Sequence, residues 1–212
     1  MNMTPHAVVR KPALAALTIA ATVATPALAQ APAPAAPAPT LNASMRQHTL
    51  IGSKVRIKGT LAGPDGQPIV VQRSKGKGWR TVARTKTVNG GHFVTRFAPR
   101  NLGRMKVRVL GPGGSKDQSK ITVYRQAGAS WYGPGFYGGH LACGGTMSAS
   151  KLGVANKTLP CGTKVSLRYK GHAVTVPVID RGPYVAGRDY DLTPATKNRL
   201  HFGSTGTIWS SK

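Results

Sequence analysis

The chain has 212 residues, with 30 Lys and Arg against five acids, and a formal net charge of +25. All five acids are aspartates (Asp65, Asp117, Asp180, Asp189 and Asp191), so a mechanism that needs carboxyl groups has to draw on these. With 26 Gly and 16 Pro, long coiled coils and helical bundles are disfavoured, while a hydrophobic content of 40% is enough for a packed core.

At the amino end Arg10 and Lys11 precede an apolar run from Pro12 that closes with Ala27-Leu28-Ala29. A basic start, an apolar middle and an A-x-A end predict a secretory signal peptide over 1–29. Thr residues and Pro26 interrupt the run, which weighs against a membrane anchor, and no other stretch approaches the ~18 apolar residues a span needs. Residues 30–39 alternate Ala and Pro and read as a semi-rigid spacer without a core. The expected product is a secreted chain with no membrane span.

Residues 40–126 carry short runs of β type: Lys54–Gly59, Ile69–Arg73, Trp79–Thr85, His92–Phe97, Met105–Leu110 and Ile121–Arg125. Several alternate basic and apolar residues, the period of a strand with one buried and one wet face. Gly-Pro-Asp-Gly at 63–66, Asn-Gly-Gly at 89–91 and Gly-Pro-Gly-Gly at 111–114 supply turns. The spacing predicts a small antiparallel β-sandwich, and it loosely resembles the immunoglobulin-like accessory modules of secreted bacterial proteins. This segment holds 18 Lys and Arg against two Asp, an excess that attracts polyanions. Nucleic acid is the usual partner of so basic a chain; export favours anionic cell-wall polymers instead, and no nucleic acid is expected.

Export also bears on Cys143 and Cys161, the only cysteines. In an oxidising compartment a single disulfide is the default, stabilising by roughly 3 kcal/mol through loop closure. A thiol nucleophile or half of a zinc site is the weaker reading, because no C-x-x-C occurs and His140, His172 and His201 show no ligand spacing. No metal and no cofactor is expected.

The segment 127–212 reads Ala-Ser-Trp-Tyr-Gly-Pro-Gly from 129, Lys-Thr-Leu-Pro-Cys-Gly-Thr from 157, and Asp-Arg-Gly-Pro-Tyr from 180 with Asp-Leu-Thr from 191. In order and spacing these motifs resemble the rare lipoprotein A (RlpA) family in its disulfide-bearing form. The resemblance implies a six-stranded double-psi β-barrel with a short helix, a fold shared with expansins, and hence an all-β chain of two modules. It also implies endolytic cleavage of peptidoglycan glycan strands by lytic transglycosylation. Two positions depart from the family's active members: Gly145 stands where they carry a Glu, and Asn156 where they carry a His.

The residues agree where local pattern speaks. Val174–Ile179 is an apolar run, expected as a strand, with Pro177 requiring an edge or a crossing. Asp180 falls where that strand ends and a tight turn begins. Thr193-Pro194 reads as N-cap and first residue of a short helix to about His201. Glycosidic cleavage needs the leaving oxygen protonated, and when the sugar's own 6-hydroxyl is the nucleophile one carboxyl group serves as acid and then base. Asp180 is the expected proton carrier and Asp191 the second catalytic candidate, with bonding to its own turn as the alternative. Trp131, Tyr132 and Tyr184 are candidates for stacking on sugars; Asn156, Arg181 and Arg188 for holding hydroxyls, amides or carboxylates. Arg181 could equally pair with Asp180. An expansin-like protein that binds or loosens the wall without cutting is the alternative to an enzyme.

Overall fold

Strands form wherever the alternation from Lys54 to Arg125 predicts them, because one set of alternate side chains is buried while the other stays in water. The computed structural model describes residues 39–114 and 116–212, besides Met1. The predicted signal peptide (beyond Met1) and all but the last residue of the Ala/Pro spacer lie outside the described residues. In chain order come β1 (Leu41–Met45), β2 (His48–Leu50), β3 (Val55–Leu61), β4 (Pro68–Lys75), β5 (Gly78–Lys86), β6 (His92–Phe97), β7 (Gly103–Leu110) and the long β8 (Lys116–Trp131). There follow β9 (Val154–Ala155), β10 (Lys164–Tyr169), β11 (His172–Asp180), β12 (Tyr190–Leu192), the helix α1 (Pro194–Leu200) and β13 (Gly206–Ser210).

The first sheet is antiparallel in the order β1-β3-β6. The second runs β5-β4-β7-β8, with β2 added in parallel to β8. Ile57, Phe93 and Phe97 of the first meet Ile69, Val107 and Ile121 of the second in one apolar core, so the amino-terminal module is a β-sandwich. β1 and β2 have little local pattern; β1 is held by its pairing to β3 and by Asp117, which accepts from the Ala43 N–H at 2.6 Å.

β8 does not stop at residue 126. It continues to Trp131 and opens a second structure in the order β8-β13-β10-β11-β9-β12, and β12 pairs back onto β8. Six strands thus close into a double-psi barrel, whose own core includes Val165, Leu167, Val176, Val178, Leu192 and Ile208. Pro177 fits because N–H groups point alternately to the two sides of a strand. Val178 donates to Thr163 on the β10 side, so the Pro177 nitrogen faces the side where β9 pairs only from Val178. Thr193 caps α1, accepting from the Thr196 N–H at 3.3 Å, with Pro194 first in the helix. The same two threonines grip Gly153 at the entrance to β9.

At the passage from sandwich to barrel, Tyr124 is buried between His48 and Trp209, with ring centroids 5.7 and 5.9 Å away. The His48 Nδ1 and the Tyr124 hydroxyl share a hydrogen bond of 2.9 Å. A few residues on, Gly128 lets the chain at Gly187 approach so closely that a Cβ there would overlap the Gly187 carbonyl. Cys143 and Cys161 form a disulfide with Cα atoms 5.6 Å apart, tying the long loop after β8 to the loop before β10.

Two measurements check this architecture. Titration of the unfolded, unreduced protein should find no free thiol, and two thiols per chain would refute the bond. Burial, and then the Arg168 charge, hold the His48 imidazole below its ordinary range. The unfolded chain therefore takes up a proton near pH ~6.5 while folded His48 resists. Its contribution to stability is complete above that pH and is lost as pH falls from there toward the depressed folded value. Thermal melts from pH 8 to 5 should fall more steeply for the parent than for His48→Gln; parallel curves would exclude the effect.

Candidate active site

The barrel brings two of the five aspartates to one place by strand register. Asp180, the last residue of β11, and Asp191, the middle of β12, are both paired with Ala155 of the two-residue β9 that lies between them. With strands ~4.8 Å apart, the two aspartates are separated by roughly 10 Å across the sheet. Ala155 is fully buried, and its methyl group fills little of the space between the flanking positions.

The end of β8 and the residue after it, Tyr132, supply the donors. Alternation puts Ser130 and Tyr132 on one face and Trp131 on the other. The Tyr132 hydroxyl donates to Asp180 Oδ2 at 2.8 Å, and the Ser130 hydroxyl donates to Asp191 Oδ1. Arg188 donates to the Ser130 oxygen at 3.3 Å, completing a chain of three side chains. Tyr132 is buried with Leu141, Met147 and Ala155, its ring edge-on to Phe136 at 5.5 Å. Burial, then the hydrogen bond and charge of Asp180, then the charge of Asp191, push the Tyr132 hydroxyl above its ordinary range. It therefore stays a protonated donor at neutral pH.

Asp180 is partly buried and its two oxygens are used unequally. Oδ1 accepts from the backbone N–H groups of Ala142 and Arg181, both at 2.8 Å. Among the described residues, Oδ2 accepts only from Tyr132. A carboxylate oxygen has two lone pairs, so Oδ1 is filled and Oδ2 has one left for a proton. Ala142 adjoins Cys143, whose N–H donates to the Ile179 carbonyl at 3.2 Å, so the disulfide loop delivers one of the donors to Asp180.

The remaining predicted residues are placed as follows. The Arg181 guanidinium turns away from Asp180 to the carbonyls of Asn156 (3.1 Å) and Leu159 (2.9 Å) and to the Cys161 sulfur (3.2 Å). Asn156 is buried; its side-chain oxygen accepts from Thr158 and Leu159, and its amide donates to the Asp189 carbonyl at 2.9 Å. Both residues build the wall of the site. Trp131 packs against the barrel core with the Lys197 ammonium 4.7 Å from its ring centroid, so it does not share a face with Tyr132. Tyr184 is 80% exposed, on the turn after Asp180. Asp189 pairs with Arg125 at 2.9 Å and accepts from the Gly128 N–H at 2.9 Å, a structural role at the start of the barrel. Gly145 has φ +77°, and a Cβ there would lie 3.2 Å from the Lys151 ammonium. Among the described residues no three His, Cys, Asp or Glu side chains cluster as a metal site. Sequence reasoning missed Ser130 and Ala155: alternation puts Ser130 on the face of Tyr132 but does not show that it meets Asp191, and nothing local marks Ala155.

Residues 124–209 match the family model described as lytic transglycolase. In sequence the carboxy-terminal module is similar to the RlpA family. The chain is 42% identical over 81 residues to the endolytic peptidoglycan transglycosylase RlpA of Campylobacter jejuni, covering 37% of this chain and 30% of that one. It is 40% identical over 80 residues to a probable enzyme of the same name from Synechocystis, covering 37% and 25%. For a probable enzyme of that name from Aquifex aeolicus the identity is 36% over 109 residues, covering 50% and 47%. The chain thus spans a quarter to a half of the length of these relatives. Among solved structures it is similar to the Streptomyces papain inhibitor, with 26% identity over 42% of this chain and 92% of that one, at a TM-score of 0.34.

The Tyr132–Asp180 bond has a direct test. Tyr132→Phe keeps the ring and removes the donor, at a cost of about 1 kcal/mol, and should lower the melting temperature by roughly 2–4 °C. An unchanged melting temperature would mean that Asp180 does not hold the hydroxyl.

Proposed function

We propose that the protein is exported to the cell wall and that its barrel cleaves peptidoglycan glycan strands by lytic transglycosylation, with Asp180 as the general acid and base. The observation that carries this reading is the asymmetric seating of Asp180 at the end of β11. One oxygen is locked by two backbone N–H groups, and the other has a free lone pair beside a donor that stays protonated. The names of the relatives, endolytic peptidoglycan transglycosylases, support the same chemistry.

In the proposed reaction the proton carried on Asp180 Oδ2 passes to the glycosidic oxygen as the bond to the anomeric carbon breaks. The 6-hydroxyl oxygen of the same sugar bonds to that carbon, and its proton returns to Asp180. The product is a 1,6-anhydro end, and the carboxyl group is restored without water. Asp191, held by Ser130, to which Arg188 donates in turn, lies across Ala155, where its negative charge would stabilise the positive charge developing on the sugar. Tyr184 and the half-exposed Phe136 and Tyr137 offer ring faces to sugars. The sandwich, with its excess of cations, would retain the protein on anionic wall polymer.

A second reading has an observation of its own. Asn156 spends its side chain on its own loop and on Asp189, and Gly145 has no side chain, so neither replaces the His and Glu of the family's active members. A barrel of this kind could bind glycan without cutting it. Digestion of purified glycan strands, with mass spectrometry of the ends, decides between the two. The enzyme should yield 1,6-anhydro ends, Asp180→Asn should lose at least ~100-fold of that rate, and Asp191→Asn should lose less. Absence of cleaved ends with the parent chain makes it a binding protein. Normal cutting by Asp180→Asn removes Asp180 from the mechanism.

A further inference from the structure

The sandwich carries a second site that the barrel's chemistry does not use. On the outer face of β7 and β8, Arg104, Lys106 and Arg108 alternate with the buried Met105, Val107 and Val109. Lys106 stands directly opposite Lys120, and Arg104 opposite Thr122. Like charges facing each other across two strands are unfavourable, and here no acid relieves them. Asp65 is spent on the Gly90 and Gly91 N–H groups and Asp117 on the Ala43 N–H, while Asp180, Asp189 and Asp191 belong to the barrel. Among the described residues the one salt bridge is Arg125–Asp189.

Two cavities of about 580 and 500 Å³ adjoin over this face and share Arg104, Lys106 and Lys120. The first adds the polar groups of Gln47, Gln118 and Thr122, and the second adds Lys77 and Trp79. Alternate residues along a strand recur every ~6.8 Å and facing residues lie ~5 Å apart. The cations therefore form a ladder that matches a linear chain bearing one anion at each such interval. The opposite sheet has its own facing pair, Arg56 and Arg96, but that pair lines neither cavity.

We propose that this groove binds a phosphodiester-linked polyol polymer, its phosphates on Arg104, Lys106 and Lys120 and its hydroxyls on the glutamines and Thr122. The lining favours such a polymer over nucleic acid. Single strands are held by stacking bases on open aromatic faces, whereas the Trp79 ring already carries the Arg108 guanidinium at 4.2 Å and His48 packs against Tyr124. The inference rests on the wall-retention part of the proposed function and gives it a location; it does not depend on glycan cleavage.

The experiment measures binding of the full chain to soluble poly(glycerol phosphate) across a salt series. Lys106→Gln with Lys120→Gln should weaken binding at least tenfold and make the slope of log affinity against log salt shallower by about 1.4, at ~0.7 for each phosphate no longer neutralised. Arg56→Gln with Arg96→Gln removes the same charge from the other sheet and should leave both within twofold. Equal loss from both double variants would mean diffuse attraction and overturn the site. No binding by the parent, or tighter binding of an oligonucleotide of equal charge, would overturn the ligand. Glycan digestion by the Lys106/Lys120 variant should match the parent, so failure of this site and failure of the catalytic reading appear in different assays.

Discussion

Strand β8 is the constraint on which the rest of the molecule depends. Its first half pairs with β7 and completes one layer of the sandwich, and its second half pairs with β13 and β12 and closes the barrel. The residues between the halves are gripped from both sides: Tyr124 by His48 and Trp209, Gly128 by the backbone at Gly187 and by Asp189. A strand with hydrogen bonds along its whole length cannot bend freely in its middle, so the two modules share a rigid element although their apolar cores are separate. The same strand ends at Trp131, and its Ser130 and the following Tyr132 face the two aspartates of the site. Its register against β12 therefore sets both the closure of the barrel and the aim of its polar groups.

The site follows the economy of a barrel with few acids. Asp180 and Asp191 are aligned through a single alanine, and each is oriented by a hydroxyl, Asp191 by Ser130 of β8 and Asp180 by Tyr132 just after it. Arg181, which by sequence alone could have neutralised Asp180, is occupied by the carbonyls of 156 and 159 and by Cys161. What remains beside Asp180 is a neutral donor rather than a cation. Among the described residues, Oδ2 of the carboxyl group then accepts from Tyr132 alone.

Charge is distributed by the same logic. Asp65 and Asp117 satisfy backbone N–H groups in the sandwich, where an unpaired donor is costly, and so neither is available to neutralise the cationic faces of its strands. The sandwich folds in spite of its charge because its alternate side chains bury a continuous apolar layer while the cations stay in water. Facing cations such as Lys106 and Lys120 are then tolerated because both stay exposed to water.

Much of this was legible in the sequence. Period-two alternation located six of the sandwich strands, Thr193-Pro194 located the helix, and the apolar run before Asp180 put that residue at a strand end. These features are local, governed by side-chain period, capping and turn chemistry within a few residues. The short strands β1, β2 and β9 carried no such signal, since three to five residues of mixed type, or two, become strands only when a partner holds them. Alternation along β8 could have separated Trp131 from Tyr132. It could not have shown that Asp180 and Asp191 meet across Ala155, or that Ser130 and Tyr132 are their partners. Local pattern determines which face a side chain occupies, whereas which strands become neighbours, and in what register, is decided only when distant segments close the barrel on one shared core.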